Sequence, residues 1–330
     1  MKIGGISGVV DHADGLHQDQ PLGRDNASAW EALNRSAFKF RHRLENHPLF
    51  EISRLAKIAE SVTNNKKLYV TSDEDLNGLP VKRRFAESLR RIEGGSHWLK
   101  LSGLQEVHPD YNELLQTFLL ELEDLTGLPV RRTATWAGLT VFIASPKMIT
   151  PYHFDHDTNF LFQIEGEKDA YLFDPTDKSV LTEDEIEHFY RGEAMAGKYR
   201  DELIGKGQAF CLTPGTAVHH PPLAPHLIKN RNNVSLSVSM FYADSSLDIR
   251  ARVYQANYCL RRLGLQPRPP GASPVSDRLK SMAIGALSKS NPKTQDELLY
   301  SGIKRIFLPY RVGSWIVQRA LSGPPSNNAH

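Results

Sequence analysis

The chain has 330 residues, 40% hydrophobic and 24% charged, enough to bury the core of one large domain or two modest ones. Its 40 basic and 38 acidic side chains leave a formal charge of +2, so composition gives no electrostatic reason to expect nucleic acid as a partner. Two cysteines, Cys211 and Cys259, cannot build a disulfide framework or a cysteine zinc site; they read as buried apolar fillers in a reducing, cytoplasmic setting.

Residues 1–27 are polar and rich in Gly, Asp and His, which predicts a loosely ordered arm with too weak an apolar run for a secretory leader. From Ala29 the pattern turns helical. Leu44, Phe50, Ile52, Leu55, Ile58 and Ala59 form an apolar face that Pro48 divides. Leu68–Val70 is a short β-type piece, Phe85–Ile92 a helix stopped by Gly94 and Gly95, and Trp98–Leu101 a strand. Asp110 caps an amphipathic helix carrying Leu114, Leu115, Phe118, Leu119, Leu122 and Leu125, which Gly127 ends.

Near Arg131 the period changes from 3.6 to 2. Strands are predicted at Ala137–Ala144, Asn159–Ile164, Asp169–Phe173, Gly207–Leu212 and Val234–Tyr242, the last with a Val-Ser-Leu-Ser-Val-Ser alternation. Short strands separated by Pro and Gly turns indicate a jelly-roll or barrel, a mainly β fold with helical flanks. A charged, helical insertion at Leu181–Lys206 interrupts them. Helices return at Ala251–Leu263, Asp277–Ser288 and Gln295–Phe307, with Gln266–Gly271 as a stiff proline-rich linker. The expected layout is a helical part over 1–130, a β core over 131–250 and a helical part over 251–330. The apolar stretch Gly302–Arg319 fits a helix packed on the barrel, a dimer interface or an interfacial membrane helix. No run reaches the roughly 18–20 apolar residues of a transmembrane segment.

The chemistry-bearing stretch runs from Thr150 to Lys168. His153 and Asp155 are two positions apart, so on an extended segment both side chains leave one face. An isolated His-x-Asp pair more often marks a surface turn. Here a third ligand is available after the Pro221–Pro222 turn, where His226 opens the next strand. A neutral imidazole, a carboxylate and a second imidazole make a facial triad suited to non-haem Fe(II). The spacing favours His226 over His219 and His220, which read as pocket or supporting residues. His156 and Asp157 look like further ligands, but a tight turn is expected to aim them outward.

Thr150-Pro151-Tyr152-His153-Phe154-Asp155, then Asn159-Phe160, Gln163-Ile164-Glu165-Gly166 and Lys168, then Pro214-Gly215 and Pro221-Pro222 before His226, appear in the order found in JmjC and cupin-like oxygenases. Over about residues 135–243 the sequence resembles that family, especially the branch containing the asparaginyl hydroxylase of the hypoxia-inducible factor. The resemblance implies a double-stranded β-helix core and His153, Asp155 and His226 as iron ligands. It implies Lys168 and Thr150 on the distal carboxylate of 2-oxoglutarate, and Asn159 near the co-substrate. Ser239 stands where the hydroxylase branch has asparagine, and Leu223-Ala224-Pro225 where relatives often carry aromatics. The implied activity uses Fe(II), 2-oxoglutarate and O2 to hydroxylate a protein side chain or a small metabolite. Dimerisation through C-terminal helices is implied too. An ammonium buried in a barrel fits this reading, because it needs an anion to meet it. Lysine demethylation is disfavoured by the absent cysteine zinc set and by Asp, not Glu, at position 155. The competing classes are a non-redox metal-dependent cupin, either isomerase or ligand-binding module, and a structural pseudo-enzyme.

Overall fold

The change of period near residue 131 becomes two antiparallel sheets laid face to face. In the computed structural model, which describes residues 21–23, 27–61, 69–71, 81–92, 94–95 and 97–307, the strands run from three to eleven residues. They are β1 (Phe38–Arg41), β2 (Tyr69–Thr71), β3 (Trp98–Ser102), β4 (Ala134–Ala144), β5 (Ile149–His153) and β6 (Thr158–Glu165). After these come β7 (Lys168–Leu172), β8 (Gln208–Leu212), β9 (Thr216–His220), β10 (His226–Asn230) and β11 (Ser235–Asp244). The larger sheet has the order β1-β9-β6-β11-β4-β3-β2 and the smaller β5-β10-β7-β8. This is a jelly-roll core with flanking helices.

The helices are α1 (Ile52–Ser61), α2 (Val81–Ile92), α3 (Leu104–Val107), α4 (Pro109–Thr126), α5 (Val130–Thr133), α6 (Glu183–Arg191), α7 (Ser245–Arg262) and α8 (Pro274–Leu287). A ninth, α9, occupies 295–307. Among the described residues no helix is long and apolar enough to cross a membrane. Most of the predicted arm at 1–27, and the apolar stretch beyond residue 307, lie outside the described residues.

Strand alternation sorts the side chains into layers. On β6, Phe160 and Phe162 join the cluster under α1, α2 and α4, while Leu161 faces the space between the sheets. On β11, Leu236, Val238 and Met240 also face the helices, so Ser235, Ser237 and Ser239 line the inter-sheet space. The outer face of the smaller sheet is covered by α6, α7 and α9 through Tyr152, Phe189, Tyr254 and Leu299. Phe118 of α4 is fully buried, with ring centroids 5.1 Å from Phe160 and 5.7 Å from Phe162. Phe118→Ala is expected to lower stability by about 3–5 kcal/mol in chemical denaturation, since the cavity is walled by a sheet that cannot collapse.

Three local expectations need correction. Leu44 is not helical: the chain before Pro48 forms β1, whose Phe-Lys-Phe-Arg alternation pairs with β9 and extends the larger sheet. The 181–206 insertion is helical only at α6 and a short 3-10 turn, Asp201–Leu203; Arg200 holds the rest by bonds to Glu185 and to the Ser179 and Val180 carbonyls. The third concerns His156 and Asp157, which turn inward beside the metal centre.

Candidate metal centre

β5 and β10 are neighbours in the smaller sheet, and their register places His153 directly opposite His226. Their ring centroids are 4.2 Å apart. Asp155 follows β5, and its Oδ2 lies 3.7 Å from His226 Nε2. One ligand atom from each of His153, Asp155 and His226 falls within 4.8 Å of the others, the one such group among the described residues. His226 is buried, while His153 and Asp155 are half-exposed, so the cluster has an open side.

Both imidazoles are held in one tautomer. His153 Nδ1 donates to the Pro151 carbonyl at 2.7 Å, and His226 Nδ1 donates to the Ala224 carbonyl at 3.0 Å. Each ring therefore leaves its Nε2 as the nitrogen available to a metal. Burial, then the nearby His153 ring, pushes His226 down to about 4, which keeps it neutral as a ligand must be. The turn before His226 is clamped to the segments that follow β5 and β7: the Leu223 N–H donates to the Asp155 carbonyl at 2.8 Å, and the Phe173 N–H donates to the Pro225 carbonyl. Leu223 adopts φ 67°, a left-handed conformation that costs a residue bearing a Cβ on the order of 1–3 kcal/mol.

The inter-sheet space behind the cluster holds an apolar group, Leu161, Leu172, Phe210, Val218 and Ile228, and beside it several buried polar side chains. Gly166, at φ 74°, makes the turn from β6 to β7; a Cβ there would lie 2.1 Å from the Val234 carbonyl oxygen. That turn brings Lys168 inside, where it is buried and donates to Ser237 Oγ at 2.7 Å. Burial pushes its ammonium down to about 7, and among the described residues no carboxylate offsets that shift. Ser239 Oγ donates to Asn159 Oδ1 at 2.7 Å, so these two predicted co-substrate residues are bonded to each other. Thr150 lies opposite Ile228 on β10 and is exposed.

The adjacent histidines on β9 part company. His219 packs between Phe38 and Phe160, with Nδ1 donating to the Asn159 carbonyl and Nε2 accepting from the Asn34 N–H. It is a structural pin, and burial pushes it down to about 3. His220 faces the other way, its ring centroid 4.5 Å from that of His226. Both of its ring nitrogens are buried without a partner among the described residues, and such orphans cost on the order of 1–3 kcal/mol each.

His156 and Asp157 do not point outward. His156 is buried, bonded through Nδ1 to Tyr190 Oη at 3.0 Å and through Nε2 to Asp248 Oδ1 at 3.3 Å. Asp157 Oδ1 accepts from Gln295 Nε2 at 2.5 Å, and burial raises its carboxyl to about 6. The covering residues come from α6, α7 and α9, which the local turn pattern could not reveal.

The cupin-like domain pattern matches residues 24–248. The chain belongs to the cupin-like domain family. The match is to that domain at large and does not single out the asparaginyl hydroxylase branch. No curated protein matches the chain. Among solved structures it is similar to Escherichia coli ycfD, at 14% identity and TM-score 0.44 over 84% of this chain and 70% of that one. A second structure, YcfD as a ribosomal oxygenase from Escherichia coli in complex with cobalt and 2-oxoglutarate, gives 14% identity and TM-score 0.42 over 82% and 68%. DMSP lyase DddQ from Ruegeria pomeroyi is similar over 33% of this chain and 39% of its own, at 15% identity and TM-score 0.22. Likenesses at these scores say nothing of what this chain catalyses.

Proposed function

We propose that this cupin-like protein is an Fe(II)- and 2-oxoglutarate-dependent oxygenase that hydroxylates a C–H bond of a protein side chain or small metabolite. The carrying observation is the His153–Asp155–His226 cluster with both Nδ1 atoms committed to backbone carbonyls. Two imidazoles and one carboxylate with an open side suit Fe(II) and leave positions for an oxo acid and dioxygen. When bound, the metal would supply the coupling of O2 reduction to oxidative decarboxylation: one oxygen atom enters the substrate C–H bond, the other enters succinate, and CO2 leaves.

The chain's own residues would bind and orient. Lys168 pairs with Asn230, four residues along β10 from His226, which separates their backbones by about 13 Å. A five-carbon diacid lying along that line would put one carboxylate on the Lys168 ammonium and its 2-oxo acid end at the metal. Thr150 is a weaker candidate for the same carboxylate because it is exposed at the edge of the smaller sheet. The exposed apolar positions Val275, Leu279 and Met282 follow helical spacing on α8 and support a homodimer through the C-terminal helices.

Succinate formation tests the reading. Purified protein given Fe(II), 2-oxoglutarate and ascorbate in air is expected to release succinate slowly without substrate, and faster with it. Absence of both succinate and 2-oxoglutarate binding by calorimetry would instead favour a non-redox cupin.

A further inference from the structure

Among the described residues, His220 is the only histidine with both ring nitrogens buried and unpartnered. The other rings nearby are committed. His219 is bonded at both nitrogens, and His153 and His226 each use Nδ1 on a backbone carbonyl and turn Nε2 to the cluster. His220 ends β9 in the larger sheet, opposite Asn159 on β6, and meets His226 from across the inter-sheet space. A neutral imidazole offers one N–H donor and one acceptor, so the pocket holds hydrogen-bonding capacity that no group among the described residues satisfies.

Position decides what would use it. Lys168 lies at the far end of the pocket, while His220 lies beside the metal ligands. Ser239, which also faces this space, has its hydroxyl engaged by Asn159. We propose that His220 is the positioning residue for the metal-proximal end of the oxo acid, donating a ring N–H to its C1 carboxylate; this rests on the oxygenase reading above. With the oxo acid bound, the ring would orient its C1 carboxylate while Lys168 would hold the opposite end.

The test separates metal binding from oxo acid binding, with Mn(II) as an inert stand-in and 2-oxoglutarate titrated by calorimetry. His220→Leu fills the volume without ring nitrogens. Its Mn(II) affinity is expected to stay near that of the native protein, while 2-oxoglutarate affinity falls about tenfold or more. His220→Asn, which keeps a donor and an acceptor, should recover part of the loss. Unchanged 2-oxoglutarate affinity in His220→Leu overturns the proposal and leaves the oxygenase reading standing. Mn(II) affinity falling in step also overturns it, because His220 would then belong to the metal site. Native protein that binds no 2-oxoglutarate refutes the oxygenase reading and the role of His220 with it. If His220→Leu fails to fold, histidine ring 15N NMR of the Zn(II)-loaded native protein decides: added 2-oxoglutarate must shift the His220 ring signals, and static signals overturn the proposal.

Discussion

Asp155→Ala is expected to leave a folded protein that neither retains Fe(II) or Mn(II) nor forms succinate. The side chain supplies the only carboxylate of the cluster, and its removal leaves two neutral imidazoles to hold a dication. Loss of a residue supporting a metal ligand typically weakens binding by about 10–100-fold, so loss of the ligand itself should exceed that range. Folding should survive. It is the backbone carbonyl of Asp155, not its side chain, that accepts the Leu223 N–H, and the side chain is half-exposed. Calorimetric titration of Mn(II), read beside a thermal melt, checks both halves. A variant that binds Mn(II) as tightly as the native protein would remove Asp155 from the centre.

The clustering of His153, Asp155 and His226 was legible because two of the three sit on one short segment and the third opens a strand after a marked turn. Their convergence is a register property of β5 and β10. The alternation of β11 was legible too, but its meaning was not. Apolar residues of a barrel strand are expected to face inward, yet Leu236, Val238 and Met240 face the helices and the serines face the pocket. Which side is the core depends on α1, α2 and α4, far away in sequence. The same limit hid the fate of His156 and Asp157, whose partners lie 34, 92 and 138 positions further on. His219 and His220 were indistinguishable as letters; one strand position sends the first into a bed of phenylalanines and the second into the site. β1 was missed because four residues of alternation, flanked by helical periodicity, are too few to stand out.

Lys168→Met is expected to have two opposite effects, which together identify the lysine as an anion-binding group. Affinity for 2-oxoglutarate should fall by about 2–5 kcal/mol, some 30-fold or more, because the distal carboxylate would enter the pocket unpaired. The metal-free protein should meanwhile become more stable near neutral pH. The folded Lys168 ammonium titrates at about 7 and the unfolded one at 10.5. Between those values the unfolded chain binds more protons than the folded one, so stability rises with pH across that window. Below pH 7 both states are protonated and the burial penalty is fully present; above 10.5 both are neutral and it is gone. The advantage of Lys168→Met should therefore be full below pH 7, on the order of a few kcal/mol, and shrink from there toward pH 10. Denaturant melts of both proteins at pH 7, 8.5 and 10 measure it, and saturating Mn(II) with 2-oxoglutarate should reverse the order of stability at pH 7. A methionine variant with the native pH slope and undiminished 2-oxoglutarate affinity would mean that the buried amine serves packing alone.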